Sequence, residues 1–324
     1  MRHKGGPRLL VTAREGALFL ERARIHVEGD RVVYHITDDE HRREYNVPHV
    51  NLAVLFMGQG TSISQAAARL LGEEGVHVAI TGTGGTPLHM GGLTHYAATR
   101  HFRDLLPVYL DPTRSLTAAK AVMRDRTARM RKFGVKEAER RLRLSDPAPL
   151  NRICDDFDAK LADCRDITQL LGFEGAFSKA CYAEFARISG LSGDAFRRTP
   201  GEAEQKGDGP VGRVNRLIDH GNYLCYGMAG AALWALGIPP HMSVFHGKTR
   251  AGGLVFDLAD SFKDALVLPL AFGLADERDQ AASERTFRGR LINAFDDRSV
   301  LKEAIGTVER MIQGATPQER TSHA

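Results

Sequence analysis

Paired cysteines are missing. Cys154, Cys164, Cys181 and Cys225 are the four cysteines in 324 residues, and none falls in a CxxC spacing. That argues against a disulfide framework or a zinc ribbon and fits reduced thiols in a cytosol. Long apolar runs are missing too. The longest, residues 223–238, spans 16 positions, contains glycines and is closed by Pro239-Pro240. It falls short of the roughly 20 that a bilayer needs and reads as a core helix. The basic start MRHKGGPRLLV has no apolar stretch for a signal peptide. The expectation is a soluble, cytoplasmic protein with no membrane role.

Several catalytic signatures are also lacking. There is no G-x-S-x-G, no Walker motif and no Cys/His nucleophile pair, so hydrolase and NTPase readings have no support. The glycine-rich GTGGT at 82–86 is followed by neither G-x-G-x-x-G nor GKT/S opening a helix, and reads as a turn.

What is present divides the chain in two. At roughly 100–200 residues per domain the length suggests two domains. Up to about residue 97 the pattern is short strands: 17–20, 24–28, 31–36, 44–47, 52–57 and 76–81. Gly29-Asp30 is a tight hairpin turn between two of them. One helix interrupts, capped by Thr61 or Ser62, running through Leu71 and stopped by Gly75. Beyond residue 98 the period is helical, over 113–133 (ended by Gly134), 148–164, 166–189, 212–237, 258–273, 281–295 and 298–313. Residues 198–210 read as a mobile polar loop. The expected fold is α+β. A small, β-sandwich-like N-terminal domain with one helix (1–97) precedes a larger all-α domain (98–324).

Charge is unevenly spread. Residues 114–143 hold eleven Lys/Arg against three Asp/Glu, and Arg285, Arg288 and Arg290 recur at helical spacing. Such runs are either solvated helix faces or tracks for a phosphate backbone, where displaced counterions supply non-specific affinity.

The helix at 166–189 carries the most information. Asp166 caps it, with Gln169 in capping-box spacing. Ile167, Leu170, Leu171, Phe177, Cys181 and Phe185 fall within about 60° of Glu174, which puts a carboxylate inside the apolar stripe, whereas Glu184 and Arg187 point off it. A carboxylate turned into a core needs a cation, a metal or donors. An ion pair with an arginine and a metal ligand are both open. Gly175 beside it suggests close approach by a backbone or a substrate. A second cluster lies at 244–260: His246, a flexible basic turn with Lys248 and Arg250, then Asp257 and Asp260 at i, i+3. One imidazole and up to three carboxylates suit Mg²⁺ or Mn²⁺ better than zinc.

These segments resemble a known family. GTSISQAA at 60–67, FEG at 173–175, VNRLIDHGNYLCYG at 214–227, VFHGK at 244–248 and FDLADSFK at 256–263 are similar, in order, to motifs of the CRISPR-associated integrase, Cas protein one. TGTGGTPLH at 81–89 is closest in wording to subtype I-F. The resemblance implies a site of Glu174, His246, Asp257 and Asp260. Glu174, His246 and Asp260 would ligate Mg²⁺ or Mn²⁺, and Asp257 would be a fourth acidic residue lining the site. Lys179, Lys248, Arg250, Lys263, Arg285 and Arg288 are the expected DNA contacts. The implied activity is joining of DNA 3′-hydroxyl ends to a CRISPR repeat by transesterification. The implied partners are double-stranded protospacer and repeat DNA, a second copy bound through the β domain, and the second adaptation protein, fused in subtype I-F to the nuclease-helicase. Two other readings keep some of the features: a structure-selective metal nuclease acting on branched DNA in repair, and a non-catalytic DNA-binding scaffold.

Overall fold

The structure, a computed structural model, describes residues 14, 16–36, 43–81, 88–90, 99–191, 196–201, 207, 209–247 and 251–315. The β region comprises β1 (Gly16–Leu20), β2 (Ala23–Glu28), β3 (Arg31–Ile36), β4 (Glu44–Asn46), β5 (Leu52–Met57), β6 (Ser62–Ile63), α1 (Gln65–Glu73), β7 (His77–Ile80) and β8 (Leu88–Met90). One sheet runs β1-β5-β7-β8 and the other β4-β3-β2-β6. In the first, β1, β5 and β7 are parallel, and α1 lies within the connection that β5 and β7 require. β5, LAVLFM, is buried at every position, as a strand covered on both faces must be. Its Leu55 and Met57 join Ile25, Val32 and Leu71 between the sheets. Val54 and Phe56 enter the core shared with the helices.

The strands read from the sequence are all here, and the expected turn sits at Gly29 and Asp30, with φ of 51° and 62°. The cap of α1 is not Thr61 or Ser62 but Ser64, whose hydroxyl accepts from the Ala67 amide at 3.2 Å. Ser62 instead belongs to β6, opposite Arg24. β6 and β8 are too short for any period to show. GTGGT lies outside the described residues.

The helical region comprises α2 (Arg100–Leu110), α3 (Pro112–Arg129), a π-helical turn (Met130–Gly134), α4 (Val135–Leu142), α5 (Ala148–Asp163), α6 (Ile167–Ile188), α7 (Pro210–Ala235), α8 (Gly253–Asp260), α9 (Lys263–Phe272), α10 (Gln280–Asp297) and α11 (Val300–Ala315). Two expectations fail here. Gly134 does not end a helix. A Cβ there would come within 2.4 Å of Met130 Sδ and 3.3 Å of Ala265 Cα, so glycine permits close approach of α9 while the chain turns on into α4. The segment 258–273 is two helices, broken at Ser261-Phe262, with the first beginning at Gly253.

α7 is buried along most of its length and packs against α8, α9, α10, α11, β5 and β7. Phe56 packs on Gly227 and His89 on Gly230, where any side chain would collide with the rings. The β region and the helices therefore share packing; the expected boundary at 97/98 falls within residues 91–98, outside the described residues. All four cysteines are buried and unpaired. Among the described residues no helix is long and apolar enough to cross a membrane.

Candidate active site

α6 starts where the sequence says. Asp166 accepts from the Gln169 amide at 2.8 Å, and Gln169 Oε1 accepts from the Arg165 amide at 3.0 Å. The buried face of the helix contains Leu170, Phe177, Cys181, Glu184 and Phe185. Its centre lies roughly 40° to one side of Glu174. That rotation accounts for two errors. Leu171 comes out to 40% exposure, and Glu184 turns inward to 9%, where Arg187 holds it at 2.8 and 2.6 Å. Glu174 sits on the edge of the stripe, half-buried. No backbone approaches Gly175, where a Cβ would meet nothing within 4 Å.

Arg126 of α3 reaches Glu174. Its Nη1 donates to Glu174 Oε1 at 2.7 Å and its Nη2 to Ser178 Oγ at 2.7 Å, while Ser178 Oγ donates to the same Oε1 at 2.8 Å. Arg126 also pairs with Asp264. Burial raises the Glu174 pKa, but Arg126 and then Lys263 outweigh it and hold the carboxyl at about 2. Burial works against the Arg126 charge, but Asp264 and Glu174 overcome it and keep the guanidinium protonated. The arginine ion pair, one of the two readings of Glu174, is present.

His246 is set by Asp257. Asp257 Oδ2 accepts from Ser243 Oγ at 2.8 Å and from the amides of Val244 and Phe245 at 2.8 and 3.2 Å. Its Oδ1 faces the His246 amide at 2.9 Å and His246 Nδ1 at 2.8 Å. Asp257 is 1% exposed and stays behind the histidine. It does not line the site as a fourth acidic residue; it anchors the 243–246 turn. An ionised carboxylate only accepts, so Nδ1 is the donor in that contact, while Nε2 lies 3.8 Å from Asp260 Oδ2.

Glu174, His246, Asp260 and Lys263 all line a cavity of about 570 Å³. Arg198, Asp219, Asn222, Tyr223 and Tyr226 also line it. Lys263 pairs with Asp260 from one helix turn away, across the break between α8 and α9. Burial lowers its pKa to about 8 despite the Asp264 and Glu174 charges. It is a cavity-wall counter-charge rather than a surface contact. The three expected metal ligands line the cavity, but their ligand atoms do not all lie within 4.8 Å of one another, a closeness reached among the described residues by His26, His35 and Glu44.

The expected DNA contacts divide. Lys179 and Arg285 are exposed. Arg288 bonds Glu21 at 2.8 Å and lies over the Phe19 ring at 4.3 Å, which ties α10 to the β region. Lys248 and Arg250 lie outside the described residues. Within 114–143, Arg126 and Arg129 are buried, Arg131 bonds Asp155 and Asp158, and Arg140 and Arg141 bond Glu137. Arg124, Lys136 and Arg143 are exposed and make no ion pair among the described residues. Part of the expected mobile loop is pinned: the Thr199 amide donates to Asn215 Oδ1 at 2.8 Å, and Arg198 pairs with Asp219.

Arg126 is the residue that sequence reasoning missed. It shares spacing with Val122 and Met130, so it sits on an apolar stripe just as Glu174 does, and the same argument applied to α3 would have found it. Asp264 gives the same signal, since Val267, Leu268 and Ala271 follow it at helical spacing in α9; Tyr223 and Tyr226 do not.

The sequence pattern of the family described as CRISPR associated protein Cas1 matches residues 17–303. The CRISPR-associated endonuclease Cas1 of Pectobacterium atrosepticum is 34% identical over 314 residues, covering 93% of this chain and 93% of that protein. The protein of the same name from Pseudomonas aeruginosa is 34% identical over 323 residues, covering 95% and 96%. Among solved structures, TtCas1 in complex with DNA superposes with a TM-score of 0.66 at 25% identity, covering 95% of each chain.

Proposed function

Because the chain belongs to the Cas1 family of CRISPR-associated proteins, we propose that it is the metal-dependent integrase of CRISPR adaptation, joining the 3′-hydroxyl ends of protospacer DNA to the CRISPR repeat. The observation that carries this reading is the one cavity that Glu174, His246, Asp260 and Lys263 line together. The reaction needs no covalent nucleophile, only positioning and charge neutralisation. Glu174, His246 and Asp260 would hold a divalent ion, Mn²⁺ or Mg²⁺. The donor chemistry fits, because His246 is oriented by a carboxylate on Nδ1, as ligating histidines are, and the two acids supply oxygen. When bound, the ion supplies Lewis-acid neutralisation at the phosphate. Lys263 adds a positive charge in the same cavity, Asp257 holds the histidine turn, and Arg126 with Ser178 fixes the Glu174 carboxylate.

Double-stranded DNA, a second copy meeting through the β region, and the second adaptation protein complete the reading. Kinship with subtype I-F, where that partner is fused to the nuclease-helicase, is part of it. Lys179, Arg285 and the exposed cations of 114–143 are the proposed backbone contacts, and a cytoplasmic location follows from the substrate. Strand transfer of a labelled duplex into a supercoiled repeat plasmid tests the reaction. Joined product that disappears in Glu174→Gln supports the integrase. Hydrolysis without joining supports the branched-DNA nuclease, and binding with neither supports the scaffold.

A further inference from the structure

The second sheet carries a cluster that the proposed reaction does not use. Pleating gives β2, β3 and β4 two faces. Ile25 and Val32 point into the core of the β region, while Arg24, His26, Glu28, His35 and Glu44 share the outer face. In the register His35 stands directly opposite Glu44, and His26, opposite Val33, is its diagonal neighbour on β2. Three hydrogen-bonded strands therefore converge two imidazoles and a carboxylate. Their ligand atoms all lie within 4.8 Å of one another. His26 Nε2 is 3.3 Å from Glu44 Oε1, and the two imidazole rings are 5.6 Å apart at 68°. A tetrahedral ion with bonds of ~2.0–2.1 Å spaces its ligands about 3.3 Å apart, so small side-chain rotations suffice. Glu28 brings a second carboxyl group within hydrogen-bonding reach of Glu44, and that contact raises the Glu28 pKa.

We propose that His26, His35 and Glu44 form a surface site for a borderline-soft divalent transition-metal ion, with Zn²⁺ as the reference case, separate from the cavity that holds Glu174. Two nitrogens and one oxygen select zinc-like ions over the hard ions Mg²⁺ and Ca²⁺. Three protein ligands leave one position for water. The ion crosslinks β4, three residues long and exposed throughout, to β2 and β3, and stabilises the folded chain by mass action.

Zn²⁺ titrated into the full-length protein, read by chelator competition and by melting temperature, tests the site. Wild type and Glu174→Gln are expected to share one Zn²⁺ equivalent that raises the melting temperature. The His26→Ala/His35→Ala double variant should lose that equivalent, or bind it about tenfold or more weakly, while its strand transfer in Mn²⁺ stays at the wild-type level. Glu44→Gln, at an exposed edge position, provides the same test without disturbing ring packing. Zn²⁺ stoichiometry and affinity unchanged in both of these variants, or an equivalent lost in Glu174→Gln and kept in the double variant, overturns the proposal.

Discussion

Arg126 Nη1 donates to Glu174 Oε1 across 2.7 Å, joining positions 48 apart in sequence, and the same guanidinium holds Asp264. One buried cation thus serves two acids from two other helices. Removing either acid leaves a balanced pair, but removing the cation leaves both acids to Lys263, which is already paired with Asp260.

Glu174→Gln is therefore expected to fold with a melting temperature close to wild type and to lose strand transfer. Arg126→Met should cost about 3–5 kcal/mol, the range for breaking a buried pair from one side. Glu184→Ala is not a silent control, because Glu184 is inward and paired with Arg187; it should cost about 1 kcal/mol. Lys179→Ala, exposed on the same helix, should leave stability unchanged. Thermal denaturation of the four variants, with strand transfer alongside, checks this ordering.

Asp257 positions rather than reacts. Its two oxygens engage four donors in the 243–246 turn and the His246 ring. Asp257→Asn places a donor where only acceptors fit, and should lower strand transfer about 10–100-fold while DNA affinity holds. Asp257→Ala should also destabilise the fold by about 3 kcal/mol or more. Loss of DNA binding at unchanged stability in Asp257→Asn would instead make it a substrate contact.

Mn²⁺ should bind the cavity more tightly than Mg²⁺, since an imidazole among carboxylates suits the softer ion. His246→Ala should narrow that gap, and Asp260→Asn should weaken both ions. Calorimetric titrations on the His26→Ala/His35→Ala background keep the sheet cluster out of the measurement. An equal Mn²⁺ preference with and without His246 removes it from the ligands.

Two buried histidines predict acid lability. Burial lowers His77 to about 3, and it lowers His220 to about 4 with Arg288 adding to the effect. His77 packs against Trp234, and His220 against Phe19 and Phe287, where the β region meets the helices. Both folded values lie below the unfolded 6.5. Their contribution is present in full above that pH and is lost as pH falls toward 4 and 3, because the unfolded chain binds the protons first. Each should cost about 1–2 kcal/mol at pH 5. The melting temperature should fall between pH 7.5 and 5, and His220→Gln should flatten the slope. An unchanged slope means these rings protonate without unfolding the junction.

Local signals in the sequence were enough for whatever depends on neighbours along the chain. The caps of α6, the hairpin at Gly29-Asp30, the all-apolar β5 and the change from strand to helix period each rest on residues a few positions apart. The same reasoning located Glu174, because a carboxylate among apolar residues at helical spacing is anomalous wherever the helix packs. It could not fix the rotation of the helix about its axis, which is set by what packs against it, and so it exchanged Leu171 for Glu184. Charge counts along 114–143 could not separate the buried Arg126 and Arg129 from the exposed Arg124 and Lys136. Which acid faces the cavity and which stands behind the histidine was likewise undecided for Asp257 and Asp260, three residues apart on one helix. Only the tertiary structure settles such questions: an ionic side chain's role depends on which partners other segments bring within about 3 Å, and charge interactions fall off too steeply with distance and solvent for sequence order to reveal them.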